Sequence, residues 1–197
     1  MKSLLGPVAA FYASSIGKKL IVAITGLALL GFLLGHMVGN LKIFFGPEKL
    51  NSYAAWLHSM PGLLWAARLG LLAALVAHVV TTILLVIQNR AARSDRYEHP
   101  ATIGATASSR TMMISGSIIL TFVIFHILHF TVGVASGYYD PYGDYFLPDG
   151  RHDVYKMVVH SFGQVPLISL FYIFSMGLLC MHLSHGFASV FQTLGLR

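Results

Sequence analysis

The sequence predicts an all-α membrane protein, a transmembrane helix bundle with four visible spans and a cytoplasmic N-terminus. Three observations carry this. Hydrophobic residues make up 56% of the chain and charged residues 10%, against about 25% charged in an ordinary soluble domain. The apolar residues gather into four segments, each long enough to cross a hydrocarbon layer about 30 Å thick. The lysines and arginines sit at segment ends and in connecting loops, where membrane topology accounts for them. That placement also removes nucleic acid as a partner, which the net charge of +6 would otherwise invite. Cys180 is the only cysteine, which excludes an internal disulfide, a thiolate-ligated iron–sulfur cluster within this chain and a Cys-rich zinc site.

Residues 1–15, MKSLLGPVAAFYASS, contain one lysine and no long apolar core, so a cleaved signal peptide is not expected and the first span is expected to direct insertion. That span, about 18–41, reads KKLIVAITGLALLGFLLGHMVGNL and is interrupted only by His36. An imidazole in lipid is costly unless something binds it, so His36 is read as facing the bundle interior. Gly31, Gly35 and Gly39 clear one face beside it, either for helix packing or for the close approach of a flat body. A loop follows, broken by Gly46-Pro47 and Pro61-Gly62, with a short interfacial helix expected at 50–58. The second span, about 63–87, has Arg68 near its start and His78 deeper in. A polar, basic loop leads to the third, about 112–134, where His126 and His129 lie one turn apart. After the acidic, turn-rich stretch 137–153, the fourth runs from 154 to 191 through Cys180, His182 and His185, with a bend expected at Pro166. No linker divides the chain, so residues 1–197 are read as one domain.

Counting lysine and arginine in short loops sets the orientation. Lys2, Lys18, Lys19, Arg90, Arg93, Arg96, Arg110 and Arg197 fall on one side, expected to be cytoplasmic. Lys42, Lys49, Arg151 and Lys156 fall on the other, beside Glu48, Asp140, Asp144, Asp149 and Asp153.

Helix rise then sorts the intramembrane histidines by depth. From Lys18 to His36, and from Arg110 to His126, an ascending helix climbs about 25 Å. Pro61 to His78 and Pro166 to His182 descend about as far. Two histidines thus come to an outer level and two to an inner level, the arrangement needed for two bis-histidine haems stacked across the bilayer, with His36 facing His126 and His78 facing His182. The second nitrogen of each imidazole needs an acceptor, for which Thr81, Thr82 and Ser184 are candidates. Any one of these histidines, taken singly, also fits a buried imidazole hydrogen-bonded to a neighbouring helix. The pairs His126/His129 and His182/His185 also fit a non-haem metal centre, but such bundle sites recruit carboxylates, and none lies in these spans. His129 and His185 are read as supporting groups at a haem edge or propionate, or as packing residues. His58, His99, His152 and His160 are read as solvated surface.

The run SSIGKK, then TGLALLGFLLGHMVGNL, Pro61 before His78, FVIFH at His126 and MHLSHGFASVFQTLG around His182 together resemble the single-chain cytochrome b membrane anchor of succinate dehydrogenase and fumarate reductase. The likeness covers nearly the whole chain. It implies a dihaem subunit with axial ligands His36, His78, His126 and His182, which docks an iron–sulfur subunit and a flavoprotein subunit on the cytoplasmic face of a bacterial-type cytoplasmic membrane. It would pass electrons between them and a membrane quinone, menaquinone by the resemblance, while the dicarboxylate chemistry stays on the flavoprotein. Members of that family carry a fifth span after the segment with His182, whereas this sequence ends at Arg197. Either the helix has been lost or the chain given stops short of it.

Around such haems, Arg110 is the propionate candidate, while Arg90, Arg93 and Arg96 fit plain topology or contact with the iron–sulfur partner. A quinone site needs an apolar slot and a titratable group with access to water. At the outer end Glu48, Trp56 and His58 are the candidates, with Ser15, Lys19 and His185 the set to consider at the inner end. Outside the resemblance, the competing function is a haem-free transporter or proton channel using its histidines as relays, which the absence of membrane-embedded acids disfavours.

Overall fold

The computed structural model describes residues 5–92, 110–134 and 144–196. Arg93, Arg96, His99 and Asp140 lie outside the described residues, as do Lys2 and Arg197. Apart from an isolated bridge between Phe146 and His152, the described residues form helices and turns. Helix α1 (Leu5–Ala13) is a short element for which the sequence reading makes no provision. It stops at Ser14, whose extended backbone and side chain, accepting from the Gly17 N–H at 2.9 Å, cap α2 (Ser15–Asn40). α2 tightens into a 3₁₀ turn at Leu41–Phe45, and Gly46, at a φ of 93°, turns the chain into α3 (Pro47–His58). Then come α4 (Pro61–Ala91) and α5 (Met112–His126), the latter ending in a π-helical turn at Ile127–Val132 that Gly133 closes at a φ of 72°. α6 (Val154–Gln164) and α7 (Pro166–Thr193) follow.

Four of these stretches are long and apolar enough to cross a membrane: Ser15–Phe45, Pro61–Ala91, Met112–Val132 and Pro166–Thr193. The chain is therefore a multi-pass, all-α membrane protein. The expected fourth span, 154–191, is corrected: it is two helices. Proline lacks an N–H and disfavours a helical residue before it, so Val165 is extended (φ −124°, ψ 88°) and Pro166 begins α7 rather than bending a continuous helix. α3 and α4 open on a proline in the same way.

α2 packs along α4 and also against α7, and α7 packs on α5. Among the described residues no comparable contact joins α4 to α5, α4 to α7, or α2 to α5. The spans thus stand at the corners of a square in the order α4, α2, α7, α5, with three sides closed and the side between α5 and α4 open. Few apolar side chains are fully buried, Ala23 and Phe122 among them. Lipid is as apolar as a protein core, so exposed leucines and phenylalanines on these helices carry no penalty there.

The two ends of the square are closed differently. At the near end, where α2 begins, Lys18 Nζ donates to the Ala13 carbonyl (2.8 Å) and to Gln88 Oε1 (3.1 Å), fastening α1 and the end of α4 to the start of α2. At the far end α3 packs on α6. There the buried Asn51 donates to Asp153 Oδ1 and accepts from the Tyr155 N–H, both at 2.9 Å. Outside this clamp Arg151 pairs with Asp149 (2.6 Å) and Glu48 (3.5 Å).

Candidate functional site

The intramembrane histidines lie at two levels. At the far level His36 of α2 and His126 of α5 face each other, ring centroids 5.8 Å apart and ring planes at 84°. Tyr172 of α7 reaches between them and the next turn: its hydroxyl lies 3.1 Å from His126 Nδ1 and 3.2 Å from His129 Nδ1. Three residues apart, the two side chains share one helix face, and where the chain runs from His126 into the π-helical turn both imidazoles meet one hydroxyl. Phe122, Phe125, Phe130 and Phe162 surround the Tyr172 ring, and His129 is 2% exposed.

At the near level His78 of α4 leans on α2 and His182 of α7 leans on α5. Thr25 Oγ1 stands 3.1 Å from His78 Nδ1, and its hydroxyl donates to the Ile21 carbonyl at 2.7 Å. Ser115 Oγ stands 3.4 Å from His182 Nδ1 and donates to the Met112 carbonyl at 3.2 Å. A hydroxyl has one proton to give, and Thr25 commits its proton to backbone at 2.7 Å, so its oxygen accepts from the His78 Nδ1–H and leaves Nε2 as the lone-pair nitrogen, the form that binds a metal. Ser115 stands beside His182 Nδ1 at the matching place on its helix. A Cβ on Gly26 would lie 3.3 Å from His78 Cε1, and one on Gly116 would lie 3.4 Å from His182 Cε1, so both rings rest in glycine notches.

The two cradles share a spacing. Thr25-Gly26 precedes His36 exactly as far along α2 as Ser115-Gly116 precedes His126 along α5, eleven residues from hydroxyl to histidine. Helix rise puts the levels about 16 Å apart on both helices. Each of these helices therefore carries one far-level histidine and the socket for a near-level histidine of its neighbour. His36 and His126 lie on one diagonal of the square, and His78 and His182 on the other.

Several expected details differ. Thr81 and Thr82 are not the partners of His78: the Thr82 hydroxyl donates to the His78 carbonyl of its own helix, and Thr81 meets Tyr12 at 3.4 Å. The partner of His182 is Ser115 rather than Ser184. Hydroxyls on the same helix turn to its backbone, so the imidazoles are held from the neighbouring helix. His36 Nε2 stands 3.1 Å from Asn40 Nδ2, a neighbour one turn along α2. Of the glycine face, Gly31 and Gly35 border open space, whereas Gly39 is filled by Tyr53. Gly26, Gly116 and Tyr172 escaped the sequence reading; the repeated hydroxyl–glycine pair before a histidine is the signal that marks the first two.

Arg110 is exposed at the near end, just before α5. His185 lines a recess there with Ala188, Ser189 and Gln192. Ser15 opens α2 and Lys19 is exposed beside it. At the far end Glu48, Trp56 and His58 do not converge: Glu48 and His58 sit about 15 Å apart along α3 by helix rise. Glu48 is held by Ser52 Oγ at 2.6 Å and by Arg151, which keep its carboxyl below the usual range. Trp56 stacks on Tyr53, and the His58 ring lies 6.4 Å from that of His152. His152 is not plain solvated surface: its ring packs 4.4 Å from Phe146, and burial first, then His58, lower its affinity for a proton. Among the described residues no group of three or more His, Cys, Asp and Glu side chains is arranged to hold a metal ion.

No protein-family model matches the chain, and no curated protein or solved structure gives a match to it.

Proposed function

We propose that the chain is the membrane-anchor subunit of a succinate:quinone oxidoreductase, a succinate dehydrogenase or fumarate reductase, in which four histidines hold two b haems. The observation that carries this reading is the two-level arrangement: one histidine pair on each diagonal of the bundle, with each near-level imidazole set beside a hydroxyl of the neighbouring helix. A bare metal ion wants more donors than an imidazole pair offers. A flat macrocycle would bring most of its own donors and need only a histidine pair from the chain. His36 and His126, which face each other with ring centroids 5.8 Å apart, would be the residues to hold one such group, and His78 with His182 the other. Ligation through His36 Nε2 would require the exposed Asn40 amide, 3.1 Å away, to turn aside.

When bound, the haems supply one-electron carriers at two depths of the membrane. The chain positions them: Thr25 and Ser115 orient the near-level ligands, and the glycine notches admit the rings. On this reading the near end, with Lys18, Arg90 and Arg110, is the cytoplasmic one of a bacterial-type membrane, where the iron–sulfur and flavoprotein subunits would dock and Arg110 would be available to a propionate. Quinone exchange is assigned to the far end, where Trp56 and His58 border the α3–α6 cap and Glu48 is already engaged by Arg151.

A reduced-minus-oxidised spectrum of the purified protein tests this. A haem b band is expected, with two redox steps. His36→Ala and His126→Ala should remove one step, His78→Ala and His182→Ala the other. Absence of the band from protein purified with full cofactor supply overturns the reading in favour of a haem-free histidine relay. Loss of the same step in His36→Ala and His78→Ala overturns the pairing.

A further inference from the structure

We infer that Tyr172 is a positioning residue which sets the far-level haem electronically apart from the near-level one. This rests on the reading above. A phenol has one proton to donate and an oxygen that accepts, and Tyr172 meets two imidazole Nδ1 atoms at 3.1 and 3.2 Å. If His126 gives Nε2 to iron, its Nδ1 carries the proton and donates to the Tyr172 oxygen. The Tyr172 hydroxyl then donates to His129 Nδ1, and His129 holds its own proton on Nε2. The chain His126 to Tyr172 to His129 therefore has one sense. Hydrogen bonds in series polarise one another, so the phenol oxygen, itself donating onward, is a stronger acceptor than an isolated tyrosine. Stronger withdrawal of the Nδ1 proton makes the imidazole a better electron donor to its metal. At the near level the acceptors are alcohols that donate onward to backbone carbonyls, at 3.1 and 3.4 Å from the imidazoles, so what is particular to the far level is a phenol with a second imidazole beyond it. Four phenylalanines pack around the Tyr172 ring and hold its hydroxyl in place between the two imidazoles.

The test is a redox titration of Tyr172→Phe with the low-spin haem EPR signals recorded alongside. The far-level haem is identified as the one missing in His36→Ala. Phenylalanine keeps the ring in its aromatic surroundings and removes the acceptor. Expected is a rise of the far-level midpoint potential that shifts the ferrous-to-ferric ratio by about tenfold, about 59 mV for a one-electron couple. The far-level EPR signal should move with it and the near-level haem should not change. His129→Leu, which removes only the onward acceptor, should shift the same haem in the same direction by less, and it decides the matter if Tyr172→Phe does not assemble. An unmoved far-level potential in the assembled variants, or an equal shift in both haems, overturns the inference while two haems remain. Wild-type protein without haem overturns instead the reading on which it stands.

Discussion

At the scale of single residues, the near-level histidines are defined as much by what is missing beside them as by what binds them. The Gly26 and Gly116 notches leave each ring only ordinary van der Waals clearance or less, with Cβ positions at 3.3 and 3.4 Å from imidazole carbon. Gly26→Val, whose branched methyls extend that position further toward His78, is expected to lower near-level haem content severalfold and leave the far-level haem in place. Haem quantified by redox-resolved spectra checks this, and equal loss at both levels would mean the substitution acts on the fold. Which histidines share a depth was legible in the sequence, because charged residues and prolines mark where each helix starts and rise does the rest. The atoms holding the second ring nitrogens were not, because depth says nothing about rotation. Thr81 and Thr82 are near His78 in sequence, but one faces Tyr12 and the other its own backbone.

At the scale of elements, proline separates what hydropathy joins. An apolar stretch from 154 to 191 reads as one long span, yet Val165 is extended and the chain breaks into a membrane-crossing α7 and a shorter α6 bound to α3. The polar clamp between these short helices was invisible in sequence, because Asn51 and Asp153 are 102 positions apart. Asn51 is 2% exposed, so Asn51→Ala strands the Tyr155 N–H and removes a partner of Asp153. The cost is about 2 kcal/mol, seen as a lower Tm and as faster amide exchange in α3 and α6. Ser52→Ala, on the exposed side of the same helix, should change stability by less than about 0.5 kcal/mol.

At the scale of the whole molecule, the chain is two similar halves. In each, a span bearing a hydroxyl–glycine pair and a later histidine (α2, α5) leads to a short helix (α3, α6) and then to a proline-initiated span with its histidine well inside (α4, α7). Similar halves would make equivalent seams between α2 and α7 and between α5 and α4, but among the described residues only the first is closed. Beyond that seam and the α3–α6 end, where Arg151 also pairs with Glu48, the His36–His126 ring contact links the halves, and on the dihaem reading proposed above each haem would add a link between a histidine of one half and a histidine of the other. Co-expressed as residues 1–92 and 93–197, the halves should co-purify at least severalfold better with haem supplied than without it. Equal recovery in both conditions would show that the protein seams suffice. Chain order also bears on assembly if the proposed dihaem reading holds: His36 and His126 are both made once α5 is complete, whereas His182 follows only with α7, so the far-level pair would be available during synthesis while the near level is still half a site.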